Sequence, residues 1–593
     1  MEGLKYIFII FLLKIYVHAE DPIIQTNKGK IKGSTVLIQG VEVDVFLGIP
    51  FARPPVGNLR FRHPQPARPW SGVKETKKYV SSCVQVKDTT FGDFEGAEMW
   101  NPNTVMSEDC LYLNIWAPSE ARKSRSQLAT MIWIFGGAFM SGSSTLDIYD
   151  GRWLAASENV IVASLNYRLG PFGFLSLNNV RAPGNMGLLD QTLAIQWIRD
   201  NILSFGGDPK KLTLFGESAG SGSVSLHVVS PLSQRLFRNA IMMSGSATAT
   251  WATVPVEKNI ERAKAMADFL KCPTENTTSM IDCFLEADAH KLANAQFHNL
   301  DSFLPYTLSP IVDGAFLTQK PIESLKNEPQ KKDVLLGYVT NEGTYFLIYD
   351  LPKYFPLKGT VPINKSTAGK LINKVIAPLR ANSVQLDLIS YLYGSHVYGS
   401  SETEKYRYIL DQASGDVKFK CPVIEFAQEY SKHAKVYMYS FEFRSRLNPW
   451  PEWAGVMHGY EIEFLFAQTL SGKNYSKEGN LVTKRTTSLF ANFSKSGNPN
   501  NGECSDCSNE PWPEFTPRNQ KYLVIDDKPT LETRENYMNN ICGFWSDFFP
   551  GLTDHKCPGT YSRKNYVRKG KSVLKYYLQS IVATMTIRGF GMT

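Results

Sequence analysis

A serine framed by two glycines, Gly216-Glu217-Ser218-Ala219-Gly220, sits in the stretch KLTLFGESAGSGSVSLHVVS at residues 211–230. Leu212, Leu214 and Phe215 read as the end of a buried strand. Val224, Leu226 and Val228 belong to an apolar segment read as a helix. Strand, sharp turn and helix around G-x-S-x-G are the setting in which a serine projects at a corner as a nucleophile. An ordinary Gly/Ser turn is the competing reading. A serine hydroxyl is a weak nucleophile near neutral pH. It needs a base within hydrogen-bond reach, an acid to orient that base, and N–H donors facing the oxyanion that forms on the attacked carbonyl.

Each part has a candidate. The segment IWIFGGAFMSG puts Gly136-Gly137-Ala138 directly after a strand, and Gly137, Ala138 and Ala219 are the expected oxyanion donors. The chain order serine, acid, histidine favours His396, His433, His458 and His555 among the nine histidines. His458 stands out, in the loop-like WAGVMHGYEIEF between aromatic-rich segments; a surface-loop histidine is the other reading. For the acid, Glu342 in LLGYVTNEGTYF follows a buried-strand pattern and precedes Gly343, and an exposed turn glutamate is its alternative.

The elements needed to hold such a site recur along the chain. TMIWIF, NVIVASLNY, KLTLF and NAIMMSG read as buried strands, and LLDQTLAIQWIRDNIL as a helix burying Leu189, Leu193, Ile195 and Trp197. Later strands are expected at DVLLGYV, KVYMYSFEF and KYLVID. Strands alternating with helices predict an α/β fold with a mostly parallel sheet and helices on both faces. Chemistry in such sheets gathers at the carboxyl ends of the strands. Ser218 falls there.

With 43% hydrophobic and 20% charged residues over 593 positions, the composition is that of a globular protein with one large domain. Residues 1–19 read as a secretory signal: Lys5 precedes the apolar run YIFIIFLL, and VHA ends at Ala19. The sequons at Asn276, Asn364, Asn474 and Asn492 are compatible with glycosylation outside the cell. The net charge of +8 is uneven, because residues 559–593 hold seven basic side chains and no acidic one. The rest of the chain is near neutral, which speaks against a nucleic-acid-binding body. The tail, with apolar residues at helical spacing, is suited to an anionic membrane surface or a partner. The expected division is therefore 1–19 signal, 20–558 catalytic domain and 559–593 basic tail. Cys504-Ser-Asp-Cys507 lacks a second pair at metal-ligand spacing, so no metal or cofactor is called for. Cys557 is a candidate for an intermolecular bond that would make a homodimer.

Taken together, SEDCLYLNIWAP, FGESAG, APGNMGLLDQ, NEGTYF and WPEWAGVMHGYEIEFLF resemble the type-B carboxylesterase family in its cholinesterase branch, over about residues 21–557. The resemblance implies an α/β-hydrolase fold, an active site at the base of a gorge, and a Ser218–Glu342–His458 triad. In GAEMWNPNTVMSEDC it makes Trp100 the aromatic face that receives the quaternary ammonium of a choline ester. Such a cation donates no strong hydrogen bond, and an aromatic face attracts it by about 0.5–2 kcal/mol. Tyr345 and Glu217 would complete that choline site, with Glu217 adding negative charge. Trp251, Leu304, Tyr306 and Phe346 resemble the acyl pocket, and Asp88, Tyr149 and Tyr349 a peripheral cation site at the gorge mouth. The family's disulfides carry over as Cys83–Cys110, Cys272–Cys283 and Cys421–Cys542, leaving Cys504 and Cys507 to pair with each other.

The departures carry their own expectations. Ala138 replaces a glycine, which is harmless only if its φ is negative. Leu304 should admit propionyl and butyryl groups. Ala295, Val86 and Met140 stand where aromatics are usual at the mouth, which predicts weak peripheral binding. A secreted hydrolase of choline esters, acetylcholine foremost, is the expected function. A general carboxylesterase of neutral or xenobiotic esters, a non-catalytic adhesion relative and a ligand scavenger are the rivals.

Overall fold

The computed structural model describes residues 21–553 apart from 301–307, 328–330, 396, 398, 473, 505, 508–509 and 536–538. The signal segment, the basic tail, Cys557, His396, His555, Leu304 and Tyr306 lie outside the described residues. The chain divides into two units, Met1–Cys542 and Gly543–Thr593. In the second, the described residues form a π-helical turn, Phe544–Phe548, followed by the helix Phe549–Thr553.

The first unit is organised by an eleven-stranded sheet. Its strands are β1 (Ser34–Ile38), β2 (Val41–Pro50), β3 (Tyr112–Pro118), β4 (Leu128–Ile134), β5 (Ile161–Leu165), β6 (Gly207–Glu217), β7 (Asn239–Met243), β8 (Asp333–Val339), β9 (Val436–Phe441), β10 (Lys521–Ile525) and β11 (Glu532–Glu535). The spatial order is β11-β10-β9-β8-β7-β6-β4-β5-β3-β2-β1. The seven strands from β10 to β5 run parallel, with antiparallel strands at both margins. This is the α/β-hydrolase arrangement.

Sequence and position agree along the sheet. The central strands β4, β5, β7 and β8 are predominantly apolar, broken only by Thr130, Ser164, Asn239 and Asp333, and are buried from end to end or nearly so, as strands covered on both faces must be. The outermost strand β11, ETRE, is charged and largely exposed, which discourages edge-to-edge pairing.

The helices that matter for the site are α1 (Met186–Asn201), α2 (Ala219–Val229), α3 (Thr344–Asp350), α4 (Glu402–Gly415) and α5 (Lys477–Ser496). A capping box between Ser401 and Glu404 fixes the start of α4. Ser476 caps α5 at its start and Gly497, at φ +84°, closes its end. In α1, Ile195 and Trp197 are buried as expected, but Leu189 and Leu193 are only half-buried. The core side of α1 is instead completed by Leu188, Ala194 and Ile198, together with the polar Asp190 and Gln191. Asp190 pairs with Arg168 at 2.7 Å, and Gln191 bonds His227 and Ser223. Satisfied polar groups can be buried, and apolar spacing misjudges the face when they are.

Four disulfides close the described chain: Cys83–Cys110, Cys272–Cys283, Cys421–Cys542 and Cys504–Cys507. Among the described residues, no helix is long and apolar enough to cross a membrane.

Candidate active site

Ser218 occupies the corner between β6 and α2 with φ 56° and ψ −124°, a strained backbone held by its surroundings. The framing glycines are required by close packing. A Cβ on Gly216 would lie 2.5 Å from the Ile134 carbonyl, and one on Gly220 only 2.0 Å from it. The corner is therefore pressed against the end of β4, the strand that leads into Gly136-Gly137-Ala138. The N–H groups of Gly137, Ala138 and Ala219 have no acceptor among the described residues. They are free for an oxyanion, and Ala219 begins α2, whose N-terminus favours negative charge.

Ala138 adopts φ +53° and Phe139 φ +61°. The condition under which alanine would be harmless is not met. A left-handed alanine costs about 1–2 kcal/mol, and the turn is held nonetheless.

Glu342 lies in the turn after β8 and is fully buried. Its Oε1 accepts the Val339 N–H at 3.0 Å, and its Oε2 lies 2.6 Å from His458 Nδ1. His458, in the long connection after β9, is 7% exposed and packs against Phe419, ring centroids 4.4 Å apart and planes tilted by 45°. Its Nε2 makes no hydrogen bond among the described residues. The nearest charge to that atom is Glu217 Oε1, 3.2 Å away but not in hydrogen-bond geometry. Ser218 and His458 face the same chamber. Catalytic hydrogen bonds are commonly looser in a site without substrate than in the working complex.

This inner chamber is lined by Trp100, Glu217, Tyr345, Trp251, Phe346 and Gly459 along with the serine, histidine and oxyanion segment. Gly459, at φ +84°, leaves the space between Trp100 and Glu217 open, since a Cβ there would come within 3.6 Å of both. Trp251 is fixed by its Nε1, which donates to the Lys418 carbonyl at 2.8 Å. Glu217 is not a simple negative charge. Burial first, and then Glu461 and Glu342, push its carboxyl well above the ordinary range. Burial, with Glu342 nearby, likewise raises Glu461 to about 8. An arriving cation acts in the opposite direction and favours the ionised form.

An outer chamber shares Trp100, Ser141 and Tyr345 with the inner one. Asp88 and Tyr349 are there, the Tyr349 hydroxyl donating to Asp88 Oδ2 at 2.6 Å. Tyr149 is not, which corrects its peripheral assignment. It is 3% exposed, packs on Trp133 with ring centroids 5.0 Å apart, and lines the inner chamber. Ala295 is fully buried, so Phe297 and Leu300 present side chains at the mouth beside Val86 and Met140.

Of the sequons, Asn276, Asn364 and Asn474 are exposed. Asn492 is 4% exposed and its amide donates to the Glu503 carbonyl, so the folded chain leaves no room for a glycan there. His433 lies elsewhere, its backbone N–H donating to the Tyr430 carbonyl just after the end of a helix. Sequence reasoning missed Phe419, which sits on a π-helical turn, Asp416–Lys420. Nothing in the apolar pattern announces that turn; its only signpost is Cys421, one residue on. Among the described residues no cluster of three or more His, Cys, Asp or Glu side chains could hold a metal ion.

Comparison with known proteins accounts for nearly the whole chain. The profile of the carboxylesterase family matches residues 20–545. A cholinesterase of Mus musculus is 40% identical over 544 residues, covering 90% of this chain and 88% of its own. An acetylcholinesterase of Bungarus fasciatus is 40% identical over 535 residues, covering 89% and 86%. An acetylcholinesterase of Electrophorus electricus is 38% identical over 586 residues, covering 92% and 91%. The Ser218 corner thus stands in a frame with a known lineage: the chain belongs to the carboxylesterase family and is a serine ester hydrolase.

Proposed function

We propose that the protein is a secreted enzyme that hydrolyses choline esters, acetylcholine foremost, through an acyl-enzyme on Ser218. The observation that carries this reading is the shared chamber. An indole face, Trp100, and a carboxyl group, Glu217, line the same cavity as Ser218 and His458. A neutral alcohol gains little from either group, whereas a quaternary ammonium is attracted by both.

In this reading His458 Nε2 takes the proton of the Ser218 hydroxyl as its oxygen attacks the acyl carbon. Glu342, bonded at Nδ1, fixes the tautomer and stabilises the imidazolium. The N–H groups of Gly137, Ala138 and Ala219 receive the oxyanion. The imidazolium then gives its proton to the leaving choline, and water, activated by the same histidine, clears the acyl group. Trp251 and Phe346 would bound the acyl group, with Leu304 and Tyr306 as the remaining members of that pocket. Dimerisation through Cys557 and a surface contact of the basic tail belong to the same proposal.

The test is turnover of acetylthiocholine, butyrylthiocholine and a neutral isostere by the protein and by Ser218→Ala. Preference for the cationic esters, abolished in the variant, is the expected result, and the ratio of the two choline esters sizes the acyl pocket. Equal use of the neutral isostere would assign the protein to general esterases. No turnover of any ester would point to an oxyanion turn closed by Ala138 and to a binding role.

A further inference from the structure

Three glycines bring three segments to one point beside the acid. A Cβ on Gly343 would lie 2.1 Å from the Asp411 carbonyl oxygen, one on Gly415 3.0 Å from Glu342 Cβ, and one on Gly455 2.1 Å from Asn341 Oδ1. The segments are the turn carrying Glu342, the last turn of α4, and the loop that leads to His458.

Where they meet, Asp411 is 2% exposed and its carboxylate accepts three hydrogen bonds. The Gly343 N–H donates to Oδ1 at 3.0 Å; Asn341 Nδ2 and Gln412 Nε2 donate to Oδ2 at 2.7 and 2.8 Å. Two of these donors flank Glu342 in sequence. Asn341 carries the connection onward: its N–H donates to the Val456 carbonyl and its Oδ1 accepts the Val456 N–H, both at 3.0 Å. Val456 stands two residues before His458, and Asn341 and Met457 form a β-bridge.

We infer that Asp411 and Asn341 are a positioning pair, which sets the separation between the acid-bearing turn and the base-bearing loop without touching substrate. The inference rests on the triad roles proposed above. Three converging N–H donors need an acceptor with no hydrogen of its own, which an ionised carboxylate is and an amide is not. Burial raises the Asp411 carboxyl to about 6, with Lys420 pulling it back and Asp416 adding to the rise, so it is ionised at neutral pH. Lys420, which donates to Gln412 Oε1 at 2.8 Å, supplies the counter-charge. The separation of acid and base matters, because a misplacement of about 1 Å can cost about 100-fold in rate.

The experiment measures kcat and KM for acetylthiocholine in the full chain carrying Asp411→Asn, Asn341→Ala or both, with tetramethylammonium affinity as a second readout. Each single change is expected to lower kcat about 10- to 100-fold, with KM and tetramethylammonium affinity within about twofold of the parent. The double variant should lose no more than the worse single variant, as members of one unit do. Losses that multiply, or a kcat within about twofold of the parent for Asn341→Ala, would overturn the inference. If Asp411→Asn does not fold, Asn341→Ala decides by its kcat and KM alone. A parent that turns over no ester would remove the proposed function and this inference together; an active parent with indifferent variants would remove only the latter.

Discussion

The inner and outer chambers meet at Trp100, Ser141 and Tyr345, yet they are built by opposite means. The inner one is made from the ends of buried parallel strands, where glycines let backbone touch backbone and few side chains have a choice of position. The outer one is lined by loops and mixed charges. Lys87 is paired with Glu98, Lys374 donates to the Asp350 carbonyl, and Asp88 is held by Tyr349 and Asn101. Ser218 thus sits where the frame cannot yield, and Asp88 sits where side chains make up the wall. The departures at Val86, Met140 and Ala295 all fall in or behind the outer wall. Ala138 is the exception, a substitution the inner frame tolerates in a left-handed turn.

This contrast can be broken at four points. Glu342→Gln strikes the inner frame hardest: kcat should fall about 10⁴-fold with little change in KM, measured on acetylthiocholine. A loss below tenfold would mean that the buried acid is structural. Trp100→Ala, at the boundary, should raise KM for the cationic ester about 30-fold, equivalent to about 2 kcal/mol for a desolvated contact. The neutral isostere should be unaffected.

Glu461→Gln probes the stability cost of the buried carboxyls. Glu461 is raised to about 8 when folded, so its favourable contribution is complete below its unfolded value and is lost as pH rises through about 8. The melting temperature of the variant should therefore exceed that of the parent at pH 8.5, with the gap narrowing towards pH 5. A gap independent of pH would show that Glu461 stays ionised throughout. Last, Asp88→Asn in the outer chamber should change KM for acetylthiocholine by less than about threefold, the usual scale for a partly solvated charge. A larger effect than that of Trp100→Ala would reverse the ranking of the two chambers.

How far the sequence announced this depends on whether a feature is local. The strand at 333–339 was legible from end to end, because after Asp333 it is one apolar run, as a buried parallel strand tends to be. Ser218 was legible because its elbow is encoded in five consecutive residues. Asp411 was not, since its role depends on α4 meeting two distant turns, and an aspartate inside a helical pattern reads as surface. Tyr149 was assigned to the mouth because a motif gives neighbours in sequence and no depth. Asn492 fits a sequon of three residues, but α5 turns its side chain inward.

The Cys83–Cys110 bridge encloses a loop that contains both Asp88 and Trp100 but none of Ser218, Glu342 or His458. The wall segment with Asp88 and Trp100 is thus hung from the body by a covalent clasp, separate from the segments that carry Ser218, Glu342 and His458. In a reducing medium that wall would lose its clasp, whereas the strands on either side of the Ser218 corner are joined by backbone hydrogen bonds that reduction does not touch.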